Sequence, residues 1–284
     1  MMQQNVRVVQ GAILEIYKVL KDIFERNNIR YYASGGTCLG ALRHNGFIPW
    51  DDDIDLEIPR EDYDRLFDIL PRELPNWLQL IDYHNVKDFH VVFAKVVVTD
   101  RKRLEQVEDS AKVTLSEGIF VDLFPLDYVP KSKVAQLLRC CKRVAIKLLR
   151  RYFTSKENPL LIRLAAGALR KFYPQIKNYN DCLRAEDALL KKYKRTADGY
   201  MFLSAWAVYD IHFIKGLKNL RVSDFGDPVS VKFEDTSIPV QANAEKYLTQ
   251  IYGDWKVWPP VEKRVPMHLA SHAREWRLGV RTYE

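Results

Sequence analysis

The residues best suited to chemistry are gathered in GFIPWDDDIDLEIP, residues 46–59, where Asp51, Asp52, Asp53 and Asp55 set four carboxylates into five positions. If the stretch is a strand throughout, alternation places Asp51, Asp53, Asp55 and Glu57 on one face and Asp52, Ile54, Leu56 and Ile58 on the other. Like charges crowded on one face repel, and burial adds to the cost, so they call for protons or a cation. Magnesium, with manganese as its substitute, suits such a face. It prefers oxygen ligands, takes one or two carboxylates and fills its octahedron with water and phosphate oxygens. Asp53 and Asp55 are the expected ligands, although an isolated acidic stretch also reads as a solvated turn.

Two other stretches bear on that choice. In ASGGTCLG, Gly35 and Gly36 end a short strand and open a helix, an arrangement that lets backbone N–H groups approach a phosphate. A plain turn is the competing reading. In GIFVDLFPLDYV, Asp122 interrupts an apolar strand between Phe120 and Phe124 on its own face, so it needs either backbone donors or a metal shared with Asp53 and Asp55. Lys95 stands in the apolar run HVVFAKVVV, where an amine needs a substrate phosphate or one of these aspartates.

The elements that must position these groups are legible in outline. Val6, Val9, Ile13, Ile16, Tyr17, Leu20, Ile23 and Phe24 recur at helical spacing up to the stop RNN. A strand over IRYYASGG, a helix over TCLGALRHNG closed by Gly46, and a helix from about Arg60 follow. Strands are expected in HVVFAKVVV and GIFVDLFPLDYV. From Lys131 helical spacing prevails for about a hundred residues without strand signals, broken at Pro159 and Pro174. VSVKFEDTSIPV returns to strand character, and NAEKYLTQIYGD reads as a helix. The expected organisation is a core over 1–130, a basic helical insertion over 131–225, and a segment over 226–284 that completes the core and the site.

At 284 residues, 47% of them hydrophobic and 29% charged, the chain can bury a substantial core. Its apolar runs fall short of a bilayer span, and the N-terminus lacks the pattern of a signal peptide, so a cytoplasmic protein is expected. Cys38, Cys140, Cys141 and Cys182 show no metal or disulfide spacing. The formal net charge of +7 is unevenly spread: Lys131 to Lys177 holds thirteen Lys and Arg against one acid, Glu157, giving +12 there and −5 elsewhere. No nucleic-acid motif accompanies that charge, so nucleic-acid binding is not expected. In KVAQLLRCCKRVAIKLLRRYF, leucines and valines among the cations suit an amphipathic helix at the inner face of an anionic membrane, or a core helix with a solvated basic face.

The long motif SGGTCLGALRHNGFIPWDDDIDLEIPREDYDRL, together with GIFVDLFPLDYV and YLTQIYGDWKVWPPVEKR, resembles the LicD family of phosphotransferases, which are built on the nucleotidyltransferase fold and related to fukutin-related proteins. The resemblance implies an α+β fold, a nucleotidyltransferase-like mixed β-sheet flanked by helices, with the helical segment as an insertion or second lobe. It implies that Asp53, Asp55 and Asp122 form the catalytic metal site, with Asp51 a helper, and that Gly35 and Gly36 form the phosphate-side turn. Arg43 and Arg264 match family arginines that bind substrate. His268 is either a phosphate ligand or a surface histidine, and Arg43 alone would pass as a helix-end arginine.

What the family implies for the reaction is transfer of a phospho-alcohol, phosphocholine from CDP-choline foremost, to a glycan or lipid-linked glycan hydroxyl with release of CMP. Nucleotidyl transfer from an NTP and a non-catalytic role at a membrane surface are the competing readings. Trp50, Trp206, Trp255 and Trp258 offer either an aromatic cage for a quaternary ammonium or ordinary core and turn packing.

Overall fold

The structure, a computed structural model, describes residues 2–86, 89, 91–113, 115, 118–129, 132–154, 159–193, 200–203 and 220–269. Helix α1 (Met2–Arg26) forms where the 3.6-residue apolar repeat predicts it, and all eight repeat positions from Val6 to Phe24 are buried. It stops at the two asparagines, where Asn28 takes a left-handed φ of 52°. Strand β1 (Tyr32–Ala33) is short and leads through Ser34 into α2 (Gly35–His44). The helix begins at the glycine pair itself, with Gly35 at φ 44°, a conformation that favours glycine. It closes on Asn45 in the left-handed region, one residue before the expected Gly46.

Strand β2 covers only Asp55–Pro59, so Asp51–Ile54 are not in a strand and the single acidic face expected over residues 51–57 does not form. Helix α3 (Arg60–Glu73) begins at the residue read from its acidic first turn. Strand β3 (Leu78–Ile81) and helix α4 (Arg101–Ala111) carry little sequence signal: β3 is four residues long, and α4 is mostly charged and capped by Asp100. Strands β4 (Ala94–Val98) and β5 (Phe120–Val129) are buried throughout, as their apolar runs require.

The strands form a mixed sheet in the order β1-β2-β5-β4-β3. β2 pairs with β5 in parallel, and the other neighbours are antiparallel. A parallel pair needs a crossover, and the chain between β2 and β5 supplies one through α3, β3, β4 and α4. This is the mixed sheet flanked by helices that the sequence leads one to expect.

The chain divides into two compact units, one of Met1–Ile81, Phe93–Leu126 and Ser223–Glu284, the other of Asp82–Val92 and Asp127–Val222. The second contains helices α5 (Lys133–Thr154), α6 (Leu160–Phe172) and α7 (Tyr179–Leu190), around a core that includes Ile146, Leu149, Ala166, Ile176 and Cys182. Where only helices were expected, β6 (Tyr200–Leu203) pairs with β7 (Leu220–Arg221). In the first unit the hairpin of β8 (Val229–Phe233) and β9 (Thr236–Val240) precedes the C-terminal helix Ala244–Tyr252, capped by Asn243.

A buried carboxylate ties four of these elements together. Glu57 on β2 has no exposed surface. It accepts hydrogen bonds from Ser34 Oγ at 2.8 Å, from Gln241 Nε2 at 3.0 Å and from the Tyr247 hydroxyl. Tyr247 in turn accepts from the Gly35 N–H at 2.9 Å, and Gln241 also donates to the Ala33 carbonyl. The start of α2, strand β2, the end of the hairpin and the C-terminal helix thus converge on one side chain. Burial pushes the Glu57 carboxyl up to about 7 against the pull of its three donors.

Two predictions follow from packing and charge. A Cβ on Gly40 would lie 2.5 Å from the Gly46 carbonyl oxygen, whereas one on Gly11 in α1 meets open space. Gly40→Ala is expected to lower the urea-unfolding free energy by about 1–3 kcal/mol and Gly11→Ala to raise it by about 0.5–1 kcal/mol. Equal effects of the two would contradict this packing. Glu57 holds its proton to a higher pH in the fold than in the unfolded chain, so its contribution to stability is complete below about pH 4.5 and lost as pH rises through about 7. Between these limits the native protein should lose roughly 3 kcal/mol more than Glu57→Gln does. Parallel pH profiles for the two proteins would refute it.

Candidate active site

Strand pairing builds the centre of the site. Asp55 on β2 is the register partner of Asp122 on β5, and Asp122 is the register partner of Lys95 on β4. The three side chains therefore stand in one row across neighbouring strands. The backbone of Asp55 is held by the first turn of α2: its N–H donates to Thr37 Oγ1 at 2.9 Å, and its carbonyl accepts from the Ser34 N–H at 2.9 Å.

Lys95 is 4% exposed, and its Nζ lies 2.8 Å from Asp122 Oδ1 and 3.6 Å from the centre of the Phe120 ring. Of the aspartates open to it in the sequence, Asp122 is the one in contact. The pair is close but not aligned as a hydrogen bond, so the buried Oδ1 retains unfilled acceptor capacity. Burial raises the Asp122 carboxyl above its ordinary range, and Lys95 opposes the rise. Asp55 is pushed well above that range, first by burial and then by the negative charges of Asp53, Asp122 and Asp51.

Residues 51–53 approach this row from a loop that Gln10 of α1 pins by donating to the Ile48 and Asp51 carbonyls at 3.1 and 2.7 Å. Asp51 meets the start of α2, its Oδ2 2.9 Å from where a Cβ on Gly36 would lie. Burial, then Asp53 and Asp52, push its carboxyl well up. The glycine pair thus receives a carboxylate of the chain, and the Gly35 N–H is committed to Tyr247. Asp52 turns away from the row and accepts three successive N–H groups, from Met267, His268 and Leu269, at 3.1, 2.9 and 2.7 Å. That clasp carries His268 to Asp53, with Nε2 3.3 Å from Oδ2, and sets its ring edge-on to Phe120.

The expected arginines gather beside an aromatic pair. Trp50 and Trp258 meet edge to face at 5.7 Å, and Arg264 lies over both rings at 5.6 and 5.1 Å. Arg43 lies 5.6 Å from the Trp258 ring centre, donates to the Trp255 carbonyl at 2.8 Å and to His44 Nε2 at 3.0 Å. The cations on these tryptophans belong to the chain itself, Trp255 carries Lys256, and Trp206 lies outside the described residues. A cleft of about 370 Å³ opens between Val6, Pro49, Trp50, Trp258, Val261, Arg264 and Pro266. Burial lowers the Arg43 pKa, with the charge of Arg264 acting in the same direction, so the two guanidiniums gain from an added anion.

Tyr252 stands between the two groups electrostatically. It is 40% exposed, yet its ionisation is opposed by desolvation and then by Asp51, Asp55 and Asp53, so it remains a neutral donor. No local signal singles it out, since it sits at ordinary helical spacing. Asp52 and Glu57 were also not distinguished as anchors. For Glu57 the flanking Leu56 and Ile58 are a usable signal, because a carboxylate between two core residues needs internal partners.

The donor set is all oxygen, burial and neighbouring negative charge raise the carboxyls of Asp55 and Asp122, and one buried oxygen of Asp122 has spare acceptor capacity. Asp53, Asp55 and Asp122 therefore fit a hard divalent cation in chemical type. Among the described residues no three His, Cys, Asp or Glu groups form a ready-made cage.

The LicD/FKTN/FKRP nucleotidyltransferase domain matches residues 28–138, the span that holds Gly35, Gly36, Arg43, Asp53, Asp55, Lys95 and Asp122. The lipopolysaccharide cholinephosphotransferase LicD of Haemophilus influenzae is 26% identical over 284 residues, covering 95% of this chain and 98% of that protein. The human ribitol 5-phosphate transferase FKRP is 43% identical over 51 residues, 18% of this chain and 10% of that protein. An uncharacterised Rickettsia prowazekii protein is 48% identical over 69 residues, 23% of this chain and 26% of its own length. With the mixed sheet and the acidic row, these matches identify a LicD/FKTN/FKRP nucleotidyltransferase domain over residues 28–138 and a chain similar along nearly its whole length to a LicD protein.

Proposed function

We propose that this protein transfers a phospho-alcohol, phosphocholine from CDP-choline foremost, to a hydroxyl of a cell-surface glycan or its lipid-linked precursor, releasing CMP. The observation that carries this reading is the abreast placement of Asp55 and Asp122, with the charges of Asp53 and Asp51 converging on Asp55. Such a cluster is costly unless a cation and a phosphate-bearing substrate use it. The full-length similarity to a cholinephosphotransferase supports the choice of donor.

Asp53, Asp55 and Asp122 would hold magnesium or manganese, which when bound neutralises diphosphate oxygens as a Lewis acid. The chain's own groups do the rest. Arg43 and Arg264 receive the donor's diphosphate charge at the edge of the tryptophan cleft. The acceptor oxygen attacks the phosphorus that bears the alcohol, the bond to the CMP phosphate oxygen breaks, and the acceptor proton passes to Asp122. Burial supports that role by raising the proton affinity of Asp122, and Lys95 keeps the carboxylate oriented. His268, fixed through Asp52, holds Asp53 in place and lies near enough to the row to meet a phosphate oxygen.

Asp53→Asn and Asp55→Asn are each expected to lower magnesium-dependent CMP release from CDP-choline by about a hundredfold or more, with an unchanged circular dichroism spectrum. Near-normal turnover in either variant would remove the assignment. A thermal-shift series with CDP-choline, CDP-ribitol, CDP-glycerol and NTPs should show the largest stabilisation with CDP-choline. Pyrophosphate release from an NTP would identify nucleotidyl transfer instead.

A further inference from the structure

In the second unit, α5 and α6 reverse the usual arrangement of a surface helix. The inner side of α5 carries Ile146 and Leu149 into the core, but it also buries Arg143, whose Nε donates to Glu186 at 2.7 Å, while Arg150 reaches the same carboxylate at 3.3 Å. The outer side is apolar: Val134, Leu137, Leu138 and Val144 lie at i, i+3, i+4 and i+10, and all are exposed, Leu138 by 57%. The neighbouring α6 buries Ala166 and turns Leu160, Leu161, Leu164 and Phe172 outward, with Leu161 and Phe172 each 79% exposed. Alongside Ile146 and Leu149, α5 thus buries Arg139 and Arg143 while Leu137 and Leu138 stay outside.

Single exposed leucines are ordinary on a protein surface, but two adjacent helices facing outward with eight large apolar side chains are not. Charge narrows the occupant. The two helices contain no Asp or Glu, and of their Lys and Arg side chains Lys142, Arg151, Arg163, Arg170 and Lys171 are exposed. Pairing this face with a second copy of itself would bring two such sets of cations together, whereas an anionic bilayer surface matches both properties. Acyl chains take the leucine, valine and phenylalanine side chains, and the flanking lysines and arginines extend to lipid phosphates. No described helix is long and apolar enough to cross a membrane, so the helices would lie in the plane of the interface.

The geometry points to α5 and α6 as a peripheral membrane seat for anionic phospholipid, independently of which donor the transferase uses. The test is co-sedimentation of the full chain with vesicles of equimolar phosphatidylglycerol and phosphatidylcholine, against phosphatidylcholine alone. Binding is expected to the anionic vesicles only and to weaken with added salt. The double substitution Leu161→Asp and Leu164→Asp should reduce it about tenfold or more, with an unchanged thermal midpoint. Arg170→Gln with Lys171→Gln should weaken it and reduce its salt dependence. No binding to anionic vesicles at low salt would overturn the proposal, as would full binding by the leucine variant. So would a concentration-dependent dimer in ultracentrifugation that the leucine variant abolishes, which would assign the face to a second copy.

Discussion

The parallel pairing of β2 with β5 sets Asp55 directly beside Asp122, and much of the first unit can be understood as accommodation of that like-charge contact. Register partners on neighbouring strands stand about 5 Å apart, a distance at which two desolvated carboxylates repel strongly. Lys95, the next residue in the row, supplies one positive charge from β4. His268 faces Asp53 from the far end of the chain. Burial and mutual repulsion still push Asp55 and Asp51 well above the ordinary carboxylate range. The arrangement is one that a cation and a phosphate ester would relieve.

Holding such a cluster together needs rigid support, and it comes from polar anchors that take no part in the row. Glu57 joins β2 to the start of α2, the end of the hairpin and the C-terminal helix through a wholly buried set of hydrogen bonds. Asp52 fixes residues 267–269 by three backbone donors. Gln10 holds the intervening loop from α1. Buried polar groups of this kind are costly when unpartnered and specific when satisfied, so each constrains where the carboxylates of the row can sit. In one short acidic stretch, Asp52 and Glu57 are anchors while Asp51, Asp53 and Asp55 face the site.

The two units meet different physical demands. The first spends its polar residues on internal order around the carboxylates. The second keeps a buried Arg143–Glu186 pair inside and leaves large apolar side chains outside. That reversal is not visible in the sequence of α5 as a choice of face, because leucines and cations alternate around the helix and either side could be packed inward. Only the position of the partner helices determines which side remains open.

Helices α1 and α3, strands β4 and β5, the hairpin and the helix Ala244–Tyr252 were legible in the order of residues, because each carries a periodicity or a cap that is local in the chain. Asp55 and Asp122 were legible as carboxylates in apolar strands that need partners, whereas Asp53 proved to lie on the preceding loop. The sequence did not reveal β3 or α4, whose length and composition are weak signals, nor the pairing of β6 with β7. Tertiary structure alone decided which partner each polar group received. Lys95 went to Asp122, the Gly35 N–H to Tyr247, and Asp52 to a segment more than two hundred residues away. Strand register and long-range hydrogen bonding set these pairings, and neither leaves a local trace in the order of residues.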